Sequence, residues 1–448
     1  MKVLVLTEYP APASGLALQG ELLCRGLREM GVDVHPVHLE SSLEKEWYYR
    51  WFKPDVVVGV GFWGHLPNLV LHPQKFGVKA VPWLVADGYI AEHRDVLNAL
   101  PLILVTSSWV KEVYVRDGVR GDNIVVLPVG CGTDRYAPHS RGDFKVQAIR
   151  EALDISDDQL MILTVGGDGA SKGAQEVMQA LALIDAEAPD WRYVCKVWPQ
   201  PRTVKQNMID LKLAADLGIG KKVIYSTNVV SQNFMPYLLA ACDIYAAPSR
   251  LEVFGMIQVE ANACERPVIA IDAMAFRDTM VDGETAFLAR VAEERKITEG
   301  RFGEGHEYES SHRIVFPNPR TAEYRASVPD IAKYLLRLMK DSALRQHMGE
   351  AGRKRVVKLF DYRQVARQFV EIVSDRLGIQ KQAMRRVCSS PQPSTPTRRL
   401  CLSTIRYETL SSGLKRRHST SCCITHAGRF KNFLEPLGGD TRNLTRGI

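Results

Sequence analysis

The sequence predicts an α/β protein with two parallel sheets, followed by a basic segment without regular structure. Short apolar runs rich in β-branched residues alternate with helical patterns from residue 1 to about 271, which is typical of parallel strands joined by helices. The alternation starts afresh near Leu160, so we expect a second sheet there. At 448 residues the chain is long enough for several domains.

The positive charge is concentrated at the end of the chain. The whole sequence has a net charge of +7, but residues 381–448 hold 13 Lys and Arg against 3 Asp and Glu, so the preceding residues carry −3. This segment is also rich in Ser, Pro and Thr, a composition that buries too little apolar surface to fold. We expect 380–448 to be a disordered extension without a catalytic role. Attraction to an anionic lipid surface or to nucleic acid is the alternative.

Composition excludes several classes of protein. An apolar content of 46% and a charged content of 24% are ordinary for a globular protein, and no apolar run approaches the ~18 residues of a membrane span. The stretch 1–10 reads as a first strand and not as a signal peptide. The nine cysteines show no paired short spacing before residue 380, which argues against zinc and disulfides. We expect a cytoplasmic protein, with peripheral contact at the inner membrane face as an open alternative.

The first half of the chain contains six predicted strands. The loop after the first strand, Glu8–Gly15, lies at the carboxyl edge of the sheet, where ligands bind in such folds, and we expect Gly15 in that site. The loop is not a G-x-G-x-x-G sequence, so an NAD-linked oxidoreductase is disfavoured. The predicted strands are Val3–Leu6, Val32–Val37, Val56–Val60, Ala80–Val85, Leu102–Thr106 and Ile124–Leu127.

A glycine-rich loop, Gly166–Gly173, follows the first strand of the second half. Glycines there let backbone amides approach a phosphate, and Lys172 adds a mobile positive charge. The alternative is a flexible surface turn with a solvated lysine. The predicted strands of this half are Met161–Val165, Tyr193–Val197, Val223–Tyr225, Ile244–Ala247 and Pro267–Ile271.

The stretch Ile244–Ile271 reads as strand, loop, helix and strand. Glu252 lies in the loop, and Glu260 lies about two turns down the helix. The unpaired amides of the first helical turn, at Phe254 and Gly255, suit an anion. Two glutamates on such an element are more often solvated charges. The interpretation as a binding site therefore depends on the flanking strands and on the Phe254-Gly255 step.

The pattern Pro-Ser-x-x-Glu, Phe-Gly and a second glutamate, here Glu252 and Glu260, resembles the donor-sugar signature of the family 4 glycosyltransferases. Residues 106–110 and 127–130 resemble the end of that family's first domain. The resemblance implies the GT-B fold, with two Rossmann-like domains facing across a cleft. The implied parts are an acceptor domain over 1–155, a donor domain over 156–360 and a crossover helix over 361–379, before the tail at 380–448.

The resemblance also implies roles for residues. Glu252 and the backbone after it hold the donor sugar, and Glu260 holds the ribose. The family's diphosphate site has a Gly-Arg and then a Lys-Gly; here Lys172 is kept, but Gly167 or Asp168 stands near the place of the arginine. The predicted catalytic residues are Glu252 and Asp87, the latter just after the fourth strand, where a plain Asp-Gly turn is the alternative. The predicted donor-binding residues are Gly15, Lys172, Phe254, Gly255 and Glu260.

These roles predict a retaining hexosyltransferase that uses a nucleotide-diphospho sugar, of UDP or GDP type, and a hydroxyl acceptor on a glycan, a lipid or a small molecule. We expect no cofactor and no metal, because the family is metal-independent and no Asp-x-Asp motif occurs in the second half. Specific nucleic-acid binding is not expected. A non-catalytic protein that binds sugar nucleotides is the alternative, since the missing arginine is consistent with lost turnover.

Four further stretches have weaker signals. The aromatic run Glu46–Lys53 reads as a helix packed by one face, with a lipid or sugar contact as the alternative. The run Gly61–His65 could face an acceptor, and Ser226–Asn228 could border a base, although both are as easily structural. A polar stretch over 293–325 predicts a long loop or a local insertion.

Overall fold

The computed structural model describes residues 1–12, 14–302 and 312–379. The predicted tail, 380–448, lies outside these ranges. The described chain contains two six-stranded sheets and a separate two-stranded hairpin, so the predicted fold class with two parallel sheets is confirmed. None of the described helices combines the length and apolar character needed to cross a membrane.

The first sheet has the strand order β2-β1-β3-β4-β5-β6, and all its pairings are parallel. Its central strands are buried on both faces, which explains their continuous apolar sequences. The strands are β1 Lys2–Thr7, β2 Asp33–His38, β3 Val56–Phe62, β4 Ala80–Val85, β5 Ile103–Val105 and β6 Ile124–Val126. The helices are α1 Gly15–Glu29, α2 Ser42–Trp51, α3 His72–Lys75, α4 Arg94–Ala99, α5 Ser108–Arg116 and α6 Phe144–Ala152.

The second sheet has the order β12-β11-β10-β7-β8-β9, again with parallel pairings. Five of its strands were predicted, and Ala286–Ala289 was missed because this four-residue run has no β-branched residue. The strands are β7 Leu160–Val165, β8 Trp191–Val197, β9 Val223–Thr227, β10 Ile244–Ala246, β11 Val268–Ile271 and β12 Ala286–Ala289. The helices are α7 Ala174–Ile184, α8 Pro201–Asp216, α9 Met235–Ala241, α10 Met256–Ala263 and α11 Phe276–Thr279.

The stretch predicted as a long loop or insertion is an antiparallel hairpin of β13 Val291–Phe302 and β14 His312–Ala326. Opposite charges pair across it, as in Arg295 with Glu323 and Arg313 with Glu299. Such cross-strand pairs stabilise a ladder whose sequence is mostly polar. Because both strands are mostly polar, they lack the hydrophobic pattern from which strands are predicted.

Three helices, α12 Val328–Lys340, α13 Ser342–Leu359 and α14 Tyr362–Leu377, complete the described chain. α14 packs on the first sheet, where its Val365, Ala366 and Phe369 share a buried cluster with Val3 and Val5. The chain therefore returns to its first strands after it has built the second sheet. The domain boundaries predicted at 155, 360 and 379 stay predictions.

Candidate active site

A cavity of ≈ 470 Å³ opens where the carboxyl ends of strands from both sheets meet. Its walls come from the segments that follow β1, β4, β5 and β6 in the first sheet and β7, β8, β9 and β10 in the second. Parallel α/β sheets bind ligands at this edge. Six of the seven predicted site residues line it, namely Gly15, Asp87, Lys172, Glu252, Phe254 and Glu260.

Glu252 is the centre of the loop between β10 and α10. Its Oε2 accepts a hydrogen bond from Lys172 Nζ at 2.7 Å, and its Oε1 accepts one from the backbone amide of Gly255 at 3.2 Å. Gly255, the seventh predicted residue, adopts φ 85° just before α10. A Cβ there would lie 2.7 Å from Phe276 Cε1, so only glycine fits this turn. The loop thus presents a carboxylate and the amino end of α10 to the cavity.

Lys172 lies in the predicted glycine loop between β7 and α7. Gly173 follows it with φ 79°, and a Cβ on Gly173 would lie 2.5 Å from the carbonyl oxygen of Pro248. Arg250 N donates to the Ser171 carbonyl oxygen at 2.9 Å. The glycine loop and the loop that carries Glu252 are therefore packed together, and this packing orients the lysine toward the carboxylate.

Glu260 lies on α10 and faces the cavity although its residue is only 5% exposed. Desolvation raises the pKa of its carboxyl group to about 8, while a hydrogen bond with Tyr136 and the charge of Arg135 oppose that rise. Burial disfavours the charged form of a carboxyl group. Near neutral pH the carboxyl group is therefore protonated. A polar ligand could take the place of Tyr136 as its hydrogen-bond partner.

Asp87 directly follows β4, on the wall opposite Glu252. Its side chain reaches the water in the cleft, yet the surrounding protein and the charge of Glu252 raise its pKa, and Lys172 lowers it. The predicted catalytic pair and the predicted phosphate lysine therefore interact electrostatically across the cleft. The structure brings them together, and their catalytic roles stay predictions.

Gly15 begins α1 on the first-sheet wall. A Cβ built on it would lie 3.5 Å from Met256 Sδ, so the two halves of the site approach closely here. The Ser14 hydroxyl caps α1 by accepting from the Ala17 amide at 3.1 Å, and it also hydrogen-bonds Glu8. Across the same cleft, the Thr106 hydroxyl donates to the Val253 carbonyl oxygen at 3.0 Å. Direct contacts thus hold the loop that carries Glu252 against the first sheet.

The hairpin β13–β14 contacts the segment after Asp87. The Tyr89 and Phe316 rings have centroids 4.8 Å apart in an edge arrangement. Arg320 Nε lies 2.9 Å from Asp117 Oδ1, and Asp117 Oδ2 accepts from the Ile90 amide at 2.8 Å. The inserted hairpin therefore supports the loop that carries a predicted catalytic carboxylate.

Several residues that line the cavity were not predicted from the sequence. Lys196 and Trp198, at the end of β8, lie beside the glycine loop, with Trp198 N donating to the Gly167 carbonyl oxygen at 3.1 Å. Tyr136 follows β6, and Val229 and Val230 follow β9. A charged residue inside an otherwise apolar strand, as in Cys195-Lys196-Val197, was the one available signal.

The weaker sequence candidates do not line this cavity. Ser226 Oγ accepts from Asn228 Nδ2, and Thr227 Oγ1 accepts from Asn207 Nδ2, as in an ordinary polar loop. The His65 ring packs against Phe62 in a tilted arrangement, with centroids 4.2 Å apart. In α2, Tyr49 is buried, while Trp47 and Trp51 are about half exposed, at 55% and 50%.

Comparison with known proteins agrees with this architecture. Residues 145–300 match the model of the family described as glycosyl transferases group 1. A D-inositol 3-phosphate glycosyltransferase of Geodermatophilus obscurus is 27% identical over 209 residues, 44% of each chain. The MMP alpha-(1->4)-mannosyltransferase of Mycolicibacterium hassiacum is 24% identical over 288 residues, 64% of this chain and 56% of that one. The chain spans about half the length of these curated relatives.

Solved structures share the fold at low sequence identity. Sucrose-phosphate synthase of Thermosynechococcus elongatus superposes with a TM-score of 0.64 at 17% identity, over 84% of this chain and 99% of that one. Anabaena HepE in complex with UDP and glucose gives 0.64 at 15% identity, over 84% and 100%. Together with the two parallel sheets and the cleft between them, these matches show that the described chain has the GT-B fold and that residues 145–300 are similar to the group 1 glycosyltransferases.

Proposed function

We propose that this chain transfers a hexose from a nucleotide-diphospho sugar to a hydroxyl acceptor, with retention of configuration and without an obligate metal ion, as family 4 enzymes do. The observation that carries the proposal is the convergence of Glu252, Glu260, Lys172 and Asp87 on one cleft. The names of the relatives, and the UDP and glucose bound to HepE, support the same class of donor.

The donor nucleotide would lie along the second-sheet wall. Glu260 would hold the ribose hydroxyls, with Tyr136 beside it as the present partner of the carboxyl group. The diphosphate would lie between the glycine loop and the amino end of α10, where unpaired amides and a partial positive charge favour anions. Lys172 would then exchange part of its contact with Glu252 for a phosphate oxygen.

The sugar would lie between Glu252 and the first-sheet wall. Glu252 is held by Lys172 and by the Gly255 amide, so it can accept a sugar hydroxyl with a fixed orientation. In a front-face retaining reaction the departing diphosphate takes the acceptor proton, so the protein contributes positioning and electrostatic stabilisation. Asp87 would contact the sugar from the opposite wall.

The acceptor would enter from the side of the first sheet, where Glu8, Ser14 and Gln19 line the cleft. These polar groups suit a hydroxylated molecule. The proposed acceptor is a hydroxyl group on a glycan, a lipid or a small molecule. The same proposal includes a cytoplasmic setting, with or without contact at a membrane face.

The test is a turnover assay of the full chain with UDP-, GDP- and ADP-hexoses. Release of nucleoside diphosphate, with water or an added hydroxyl compound as acceptor, is measured with and without a strong chelator, and NMR assigns the anomer of the product. We expect release with one donor class, a retained anomer and no loss with the chelator. Binding of a donor without any release would favour the non-catalytic alternative, and an inverted anomer would contradict retention.

A further inference from the structure

Lys196 is the second cation that the cavity wall presents, and its environment is unusual for a lysine. The residue is only 5% exposed, yet it lines the cavity. It follows Cys195 near the end of β8, with its register partner Val165 on β7. The segment that follows Val165 is the glycine loop, and Gly166 N donates to the Lys196 carbonyl oxygen at 3.1 Å.

The ammonium group of Lys196 has no ion pair or hydrogen bond with any residue in the described part of the chain. Lys172, in contrast, is neutralised by Glu252 at 2.7 Å. Desolvation alone lowers the pKa of Lys196, because nothing nearby compensates its charge. A buried charge without a partner is costly, and such groups concentrate at functional sites.

We propose that Lys196 is a diphosphate-binding residue, and that it supplies the second positive charge which the glycine loop of this chain lacks. Between β7 and Lys172 the loop carries no other basic residue, and Lys196 borders this loop from the next strand. The two phosphates of the donor would then lie between Lys196 on one side and Lys172 on the other. This inference rests on the proposed function for the identity of the anion as a nucleoside diphosphate.

The charge pattern favours a phosphate over a base as the partner of Lys196. The neighbouring walls carry Lys172 and backbone amides of the glycine loop, which also attract an anion. An ammonium group is a compact, strongly hydrated charge that suits phosphate oxygens. The alternative is that Lys196 contacts a carbonyl group of the nucleotide base. Comparing pyrophosphate and nucleoside diphosphates with the nucleosides distinguishes the two assignments.

The test compares Lys196→Met with the wild type by calorimetry. The probes are inorganic pyrophosphate, then UDP, GDP and ADP, each beside its nucleoside. Lys212→Met is the control, because Lys212 is 76% exposed and pairs with Asp216 outside the cavity. We expect Lys196→Met to bind pyrophosphate and the preferred nucleoside diphosphate about 10- to 100-fold more weakly, with the nucleoside little changed.

Thermal unfolding of the free protein separates binding from a structural role. Methionine has a similar shape and no charge, so Lys196→Met should unfold at the same or a higher temperature than the wild type. Unchanged affinity for all probes, or equal losses for nucleoside and diphosphate, would overturn the assignment. A lower unfolding temperature together with unchanged pyrophosphate binding would overturn it as well.

The outcomes also distinguish this inference from the proposed function. If the wild type turns over a nucleotide sugar and Lys196→Met retains its diphosphate affinity, the inference fails while the function stands. If the wild type binds pyrophosphate through Lys196 but binds none of the nucleoside diphosphates, the anion site stands and the proposed function fails.

Discussion

The ammonium nitrogen of Lys172 lies 2.7 Å from Glu252 Oε2, and the two side chains are 24% and 13% exposed. This pair joins the glycine loop after β7 to the loop before α10, the two segments on which the proposed donor site depends. In partly buried surroundings such a contact is stronger than a surface ion pair. The pair therefore holds the cleft ready for a diphosphate, which would share the lysine.

Lys172→Met should weaken the binding of the preferred nucleoside diphosphate about 10- to 100-fold and change the binding of the nucleoside little, because the lost charge is assigned to phosphate. Calorimetry with both ligands measures this, and Lys212→Met serves as the exposed control. Equal losses for both ligands would instead show that Lys172 supports the loop.

Gly173→Ala should destabilise the protein more than Gly218→Ala. Both glycines have positive φ, at 79° and 77°, so each alanine carries a backbone strain of about 1 kcal/mol. Only at Gly173 would the new Cβ lie 2.5 Å from the Pro248 carbonyl oxygen, whereas nothing lies within 4 Å at Gly218. We expect an additional loss of about 1–3 kcal/mol, measured by denaturant unfolding. Equal losses of stability would mean that the glycine loop shifts to accommodate the new Cβ without a further loss in the free energy of unfolding.

The free energy of unfolding should fall as pH rises through the range set by Glu260. Its folded pKa of about 8 exceeds the ordinary value of 4.5, so between these values the folded protein holds a proton that the unfolded chain has released. By linkage, this group makes the protein less stable with each step in pH above 4.5, until about pH 8.

Glu260→Gln should remove that pH dependence. The variant should match the wild type near pH 4.5 and exceed its stability at pH 9, as urea unfolding at several pH values would show. Glu187→Gln, at an exposed position in the turn after α7, is the control. A wild type and variant with parallel pH profiles would contradict the raised pKa.

Arg320→Met should loosen the hairpin from the first sheet. The change removes the ion pair to Asp117, whose side chain is 1% exposed and still keeps Arg116 as a partner. We therefore expect a loss of about 1–2 kcal/mol in stability and slower turnover, since Asp117 also holds the Ile90 amide near Asp87. Arg313→Met is the control, because its pair with Glu299 is exposed and such pairs contribute little. If both variants behave alike, the hairpin does not support this loop.

The sequence was sufficient for eleven of the twelve strands of the two sheets, because these strands are buried and read as apolar runs, whereas β12 has no β-branched residue. The placement of Glu252, Glu260 and Lys172 at the cavity could be predicted because they belong to recognisable strand, loop and helix patterns, and their roles stay predictions. Lys196 escaped notice since its burial depends on neighbours from β7 and the glycine loop, which are distant in sequence. The hairpin escaped because its strands are held by charge pairs and not by an apolar face.

In the proposed complex, the two glutamates of α10 and its preceding loop divide the donor between them, with Glu260 on the ribose and Glu252 on the sugar. The most direct measurement is calorimetric binding of the preferred nucleoside diphosphate, beside the turnover of its sugar, in Glu260→Gln and Glu252→Gln. We predict that at pH 9, above the pKa of about 8 for Glu260, Glu260→Gln weakens nucleotide binding by about 10-fold or more, whereas Glu252→Gln keeps most of that affinity and loses turnover. Nucleotide affinity and turnover equal to the wild type in both variants would contradict the account.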